Sequence, residues 1–111
     1  MNLAKSGAAD ASGLLVLSFG PFPRDWVVTE VFVNAEVVGL FVADLALDGE
    51  LVWNGFRVSS AALPNQFAAS VWHRLRQPGF AVVSLSNLGP GGLGGACLSV
   101  RAAYDKGAVP T

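Results

Sequence analysis

Residues 26 to 53 read WVVTEVFVNAEVVGLFVADLALDGELVW. WVVTEVFV is β-branched and aromatic throughout, a composition that suits a pleated, half-buried surface. EVVGLFVADL repeats that character after Asn34, with Gly39 marked as a bulge or a point of close backbone approach. Asp48-Gly49 then supplies the strongest short hairpin signal in the chain. Two strands and a tight turn are therefore written into one stretch, and this makes the fold class a β one.

The same period continues on both sides. GLLVLSF (13–19) places Leu15, Leu17 and Phe19 on one side. FAVVSLS (80–86) sets Val83 and Leu85 opposite Ser84 and Ser86. ACLSVRAAY (96–104) sets Leu98, Val100, Ala102 and Tyr104 opposite Ser99 and Arg101. Strict two-residue alternation is the mark of a strand with one buried face. Asn54-Gly55 in LVWNGFRVSS is a second hairpin signal, and Pro21 and Pro23 interrupt the chain after Phe19, since proline has no N–H to give a ladder. The sum is an all-β fold: an antiparallel two-layer β-sandwich, jelly-roll or Ig-like, of about seven strands.

One segment departs from the alternation. In LPNQFAASVWHRLRQPG (63–79), Phe67, Val71, Trp72 and Leu75 fall at helical spacing, with Gln66, Ser70, His73, Arg74 and Gln77 opposite. Asn65 can cap such a helix and Pro78-Gly79 can stop it, so the spacing predicts one short helix near 65–76. Residues 1–12, small and polar without period, predict a flexible N-terminal arm. The sandwich domain is assigned to 13–104, and 105–111 to a C-terminal tail.

Composition narrows the function. The chain has 111 residues, 52% hydrophobic and only 14% charged, with net charge −1. Mean hydropathy is +0.50. So few charges leave little to cover a water-facing surface. In WVVTEVFV, Trp26, Val28 and Phe32 alternate with Val27, Val31 and Val33, so both faces of that strand are apolar. A two-layer sandwich hides one face per sheet, and a partner is expected on the other. Seven cations spread through the chain make no track for a phosphate backbone, so no nucleic-acid partner is expected. No membrane partner is expected either, because prolines and glycines break the long uncharged run from Gln77 to Val100. A single cysteine cannot form an internal disulfide, which points to synthesis in a reducing cytoplasm.

Chemistry-bearing residues are few. NLGPGGLGGACLSV (87–100) carries five glycines but no lysine in phosphate-loop position and no helix after it, so it reads as a strand-connecting loop; a long glycine-rich loop can also order against a neighbour. Cys97, set at the start of the last strand, has only His73 in the whole chain as a possible base, from a distant segment. Asp44, Asp48 and Glu50 lie close in sequence but do not match the spacing of a calcium loop. No catalytic residue, cofactor or metal is assigned. Trp26, Trp53 and Trp72 are candidates for core packing, a sugar platform or an interface. Phe22, between two prolines, is hard to bury locally and is the leading partner-facing anchor. The interface set is Phe22, Pro23, Trp26 and Trp53.

FGPFPRDWVVTEVFV, with Gly20, Pro21, Pro23 and Trp26, and LRQPGFAVVSLSNLG, with Pro78, Gly79, Val83, Leu85 and Asn87, together resemble the small β-sandwich virion proteins of tailed bacteriophages. These are the capsid decoration (cement) and minor head proteins. The resemblance runs from Gly13 to Tyr104. It implies a non-enzymatic structural protein of the virion, assembled in the host cytoplasm. It would be a homo-oligomer or lattice-bound, holding the capsid lattice or neighbouring copies through apolar surface and arm. The alternative is a lectin-like glycan-binding β-sandwich.

Overall fold

The computed structural model describes residues 2–37, 39–60, 65–76 and 79–102. Eight strands follow one another: β1 (Asn2–Ala8), β2 (Leu15–Phe22), β3 (Trp26–Ala35), β4 (Gly39–Leu47), β5 (Glu50–Ser60), β6 (Asn65–Arg74), β7 (Gly79–Ser86) and β8 (Leu93–Ala102). They form two four-stranded sheets, β1-β8-β3-β6 and β2-β7-β4-β5, and every pairing is antiparallel.

The pairing has a simple rule. First pairs with last, second with seventh, third with sixth and fourth with fifth. The chain is thus one long antiparallel ribbon folded at the Asp48-Gly49 turn. Rolling that ribbon brings β3 beside β8 and β4 beside β7. Every connection except β4–β5 crosses between sheets. This is jelly-roll wiring, a way for a β protein to divide one ribbon between two packed layers. Asp48 (φ 57°) and Gly49 (φ 75°) both take positive φ at the fold of the ribbon, as a tight hairpin with native strand twist requires.

The core lies between the layers. Val28, Val31, Val33 and Leu98 come from one sheet; Phe41, Leu45, Leu47, Val83 and Leu85 come from the other. All are fully buried. Each such side chain stabilises the fold by about 1.5–3 kcal/mol relative to exposure. Leu15, Leu17 and Phe19 are buried together, as their alternation predicts.

Five expectations are corrected. Residues 65–74 are strand β6, buried and exposed in alternation from end to end, and no helix occurs among the described residues. The spacing of four that links Phe67, Val71 and Leu75 is an even number. It therefore satisfies a strand's period of two as well as a helix turn. Trp72 joined the apparent helical stripe only as Val71's neighbour. The strand reading wins because β6 finds a full ladder on β3.

The supposed arm is β1, paired with β8 from Asn2–Ser99 to Ala8–Leu93. An edge strand is held by its backbone ladder and has one face in solvent, so it needs little apolar pattern to form. The sandwich accordingly includes residues 2–8 and has eight strands among the described residues. Tyr104, Pro78 and the 105–111 tail lie outside the described residues.

Asn54-Gly55 does not reverse the chain. Ala43 pairs with Phe56 and Leu45 with Trp53, so β5 carries one extra residue there. Gly55, at φ 69°, makes this a bulge inside a strand. In β3 a further irregularity falls at Thr29, between the Val28 and Glu30 pairs. It shifts the strand's parity, so Val28, Val31 and Val33 all face the core, while Phe32 and Val27 lie on the outer side.

The glycine-rich segment 87–92 packs against the chain's own β1–β2 connection. Ala9 N–H donates to the Gly92 carbonyl (2.7 Å), Gly91 N–H to the Ala9 carbonyl (3.1 Å) and Leu88 N–H to the Gly13 carbonyl (3.1 Å). Leu88 is buried as a plug beneath it. A Cβ on Gly92 would overlap the Leu88 carbonyl, so glycine is required there. β8 starts at Leu93, which places Cys97 in mid-strand.

Candidate functional site

A sandwich of two open sheets has two side seams, where the edge strands of the layers face one another. At the β5–β6 seam, aromatic rings fill the gap. Phe56 and Phe67 lie 4.5 Å apart between centroids, and Trp53 meets them at 5.7 and 5.8 Å. Tilted and edge-on rings at such distances are favourable beyond their burial. Trp53 is therefore part of a structural seal, half-buried against the core.

The β1–β2 seam is left open. A cleft of about 390 Å³ lies there, bounded by Leu3, Ala4 and Lys5 of β1 and by the run from Phe19 to Pro23 with Trp26. β1 turns Leu3 and Lys5 toward the gap and offers no aromatic ring to fill it. Phe22 and Trp26 stack beside it, 6.5 Å between centroids and 21° between planes. The Lys5 ammonium stands 5.8 Å from the centre of the Phe19 ring and is the sole charged group lining the cleft. The volume falls in the usual range for ligand pockets.

Three of the four residues nominated from sequence thus meet at one place: Phe22, Pro23 and Trp26. Trp53 is at the other seam. Phe22 itself is 5% exposed. Its side chain is a wall of the cleft and cannot be an anchor projecting into a partner. β2 continues through Pro21 to Phe22 after a register break at Phe19, and this turns the ring inward. Pro23 is exposed and Trp26 half-buried, so the partner-facing lip is Pro23 and Trp26.

The remaining candidates separate. Cys97 pairs with Phe32, and His73 pairs with Val28. Cys97 lies on the outer side of its sheet, opposite in parity to buried Leu98, whereas His73 is on the inner side with its Nε2 buried. A thiol and an imidazole so placed form no nucleophile–base pair. Asp44 accepts a hydrogen bond from the Gly55 N–H, and Asp48 accepts one from the Arg76 N–H at 3.0 Å. The first carboxylate serves the β5 bulge, and the second ties the hairpin turn to the β6–β7 connection. No cluster of three or more metal-ligating side chains occurs among the described residues. Asp10 organises the β1–β2 turn, accepting from the Ser12 hydroxyl (2.6 Å), the Ser12 N–H (2.8 Å) and the Leu14 N–H (3.1 Å). The Ser12 hydroxyl and then these backbone donors hold its carboxyl below the ordinary range.

Two further surfaces are assembled only by the fold. Across the outer side of the β2-β7-β4-β5 sheet, Ser18, Val82, Ala46 and Leu51 stand in register. Val16 and Phe80 are half-exposed on the same sheet. The apolar outer face is therefore strongest on this sheet, not on β3. The second is an exposed tryptophan and its charged neighbours at the end of the other sheet. Neither could be found from alternation alone, because both depend on strand order and on bulges. No protein-family model matches the chain, and no curated protein matches it.

Proposed function

We propose that the chain is a non-enzymatic structural subunit, of the capsid-decoration or minor head kind, whose β1–β2 cleft receives an apolar side chain from a neighbouring virion protein or a second copy. The observation that carries the proposal is the cleft itself: apolar, open, and lipped by Pro23 and Trp26. Proline and tryptophan lose little side-chain entropy on binding, and a rigid apolar pocket at the centre of a contact is where binding energy concentrates. The apolar row on the outer β2-β7-β4-β5 face adds area that a docked neighbour would remove from water. The resemblance to phage virion proteins supplies the setting, and the low charge content agrees with it.

Two measurements test this: sedimentation velocity of the purified chain over a concentration series, and co-sedimentation with capsid shells lacking their decoration protein. The expected result is self-association or shell binding that Lys5→Phe blocks by filling the cleft and Pro23→Glu blocks by charging its lip, each with an unchanged melting temperature. A chain that stays monomeric at high concentration and binds no shell would overturn the proposal, as would assembly indifferent to both variants.

A further inference from the structure

Trp72 is 61% exposed, more open than any other large apolar side chain on this surface, and holds a φ of 49°. Positive φ in a bulky aromatic residue is a genuine backbone outlier. Such strain persists where the surroundings over-determine it, and it concentrates at ligand clamps. The cause here is local. Between the Val28–His73 and Glu30–Ser70 pairs, β6 carries one more residue than β3. The extra residue accounts for the backbone outlier. The ring itself stands on the outer side of the sheet with Ser70 and Arg74, which share its parity on β6.

Polar groups surround it. Arg101 reaches from β8 across β3 to lie over the Trp72 ring, 5.4 Å from its centroid. Arg74 and Arg101 flank Val27 on its two neighbouring strands, two strand spacings or about 10 Å apart. Arg74 donates through Nε and Nη2 to Asp25 Oδ1 at 3.2 and 3.1 Å, and Arg24 stands 3.8 Å from the other oxygen of that carboxylate. Glu30, exposed on β3 opposite Ser70, makes no ion pair among the described residues. The patch thus combines one flat aromatic plate, guanidinium donors and carboxylate acceptors.

We infer that this patch is a carbohydrate site that takes one pyranose ring of a glycan. The Trp72 ring stacks on the sugar's C–H face, Arg101 and Arg74 donate to its oxygens, and Glu30 and Asp25 accept from its hydroxyls. The mixed signs decide the class. A nucleic acid requires a track of uncompensated cations, whereas two carboxylates interleave the arginines here and the chain carries net charge −1. A wholly apolar partner would strip water from these charges without replacing it. A polyhydroxylated ring offers donors, acceptors and an apolar face together. The site lies on the outer side of the β1-β8-β3-β6 sheet and does not depend on the cleft proposal.

The test titrates methyl α-glucoside, methyl β-galactoside, methyl α-mannoside and glucuronate into isotopically labelled protein, following the Trp72 indole and the arginine Nε resonances. At least one sugar is expected to give saturable shifts confined to this patch, with a Kd of about 1 mM or weaker for so small a contact. Trp72→Asn is the sharpest variant, because asparagine tolerates positive φ. It should weaken binding at least about tenfold, close to 1.4 kcal/mol, while the melting temperature holds or rises. Trp72→Phe should retain part of the binding, and Arg101→Met should weaken it without unfolding the domain should the asparagine variant fail to fold. Lys5→Phe should leave it unchanged, which separates this site from the cleft. The proposal is overturned by an absence of shifts with all four sugars up to about 50 mM, by binding that survives Trp72→Asn and Arg101→Met, or by saturable binding of an oligothymidylate where no sugar binds.

Discussion

Among the described residues, Asn65 is the one polar side chain that the core encloses completely, at 0% exposure. It opens β6, and its Nδ2 donates to the Val37 carbonyl at 3.2 Å and to the Gly39 carbonyl at 2.8 Å. Those carbonyls flank the point where the chain leaves one sheet for the other between β3 and β4. One amide thus fastens the start of β6 to a crossover some 26–28 residues earlier in the chain. The role differs from the helix cap that its sequence position suggests. Its donor chemistry is used, on another element.

Asn65→Ala removes both donors. Each lost bond contributes about 0.5–1.5 kcal/mol, and a carbonyl left unpaired where water enters poorly costs about 1–3 kcal/mol. Val37 and Gly39 are half-buried, so each carbonyl bears part of that penalty. Asn65 Oδ1 has no partner among the described residues, and its removal returns a fraction of the loss. The net expectation is about 2–4 kcal/mol of destabilisation. In a domain of this size that is a fall in melting temperature of roughly 10–25 °C. Urea unfolding followed by tryptophan fluorescence measures it, with the slope of the transition unchanged. Hydrogen exchange should also show amides near Val37 and Gly39 losing protection before those of β7. A loss below about 0.5 kcal/mol would refute the reasoning and show that water replaces the amide at no cost.

Other expectations follow from the loops and the sheet faces. Gly92→Ala, whose Cβ would overlap the Leu88 carbonyl, should break the seam between the two end loops. The expected cost is about 2–3 kcal/mol, read by denaturant unfolding, whereas Gly91→Asn, at φ 73° with open space around it, should cost far less. Asp10 has its carboxyl held below the ordinary 3.8, first by the Ser12 hydroxyl and then by backbone N–H groups. Its contribution is therefore fully present above that ordinary value and is lost as pH falls through the lower folded-state value. Asp10→Asn should flatten this part of the acid limb in melts, and carbon-detected NMR should place the native carboxyl below 3.8. Cys97→Ser, half-buried on the outer face opposite Phe32, should change stability by no more than about 1–2 kcal/mol and leave binding unaltered.

What the sequence makes legible here is whatever obeys a period. Leu15, Leu17 and Phe19, or Val83 and Leu85, alternate without interruption and lie in the core where alternation puts them. Asp48-Gly49 folds the ribbon because its two positive-φ residues have no rival explanation. Failures occur where a second principle has the same signature as the first. A spacing of four fits both a helix turn and a strand face, and only the ladder offered by β3 decides the matter for β6. Asn-Gly is a hairpin turn when strands end beside it and a bulge when a partner strand runs past. In β5 the partner β4 continues, and Asp44 supplies an acceptor for the Gly55 N–H. β1 was unreadable for another reason. A strand at a sheet edge is specified by the backbone of β8 more than by its own side chains.

The same logic explains why three of the four nominated residues lie together. Phe22, Pro23 and Trp26 are neighbours in sequence, so any β-turn between β2 and β3 brings them near one another, and local reasoning suffices. Whether they border a filled seam or an open one depends on what β1 presents across the gap. Leu3 and Lys5 face the gap there and leave a cleft, whereas Phe56 and Phe67 close the corresponding gap at β5–β6 around Trp53. Trp53 and Trp26 look equivalent in sequence and differ in fate because Phe56 and Phe67 pack on the first, while across from the second stand only Leu3 and Lys5. The sequence names Trp72 as a candidate but sets it on a helical stripe with Val71 and Leu75; the two-residue period of β6 puts it outside with Ser70 and Arg74. In a rolled ribbon each strand's partner is fixed by its distance from the central turn. Surface chemistry therefore collects residues that are not neighbours in sequence, Arg101 with Trp72 and Lys5 with Phe19. Both proposed binding surfaces are of this composite kind, and each joins a residue from one end of the chain to one nearer the middle.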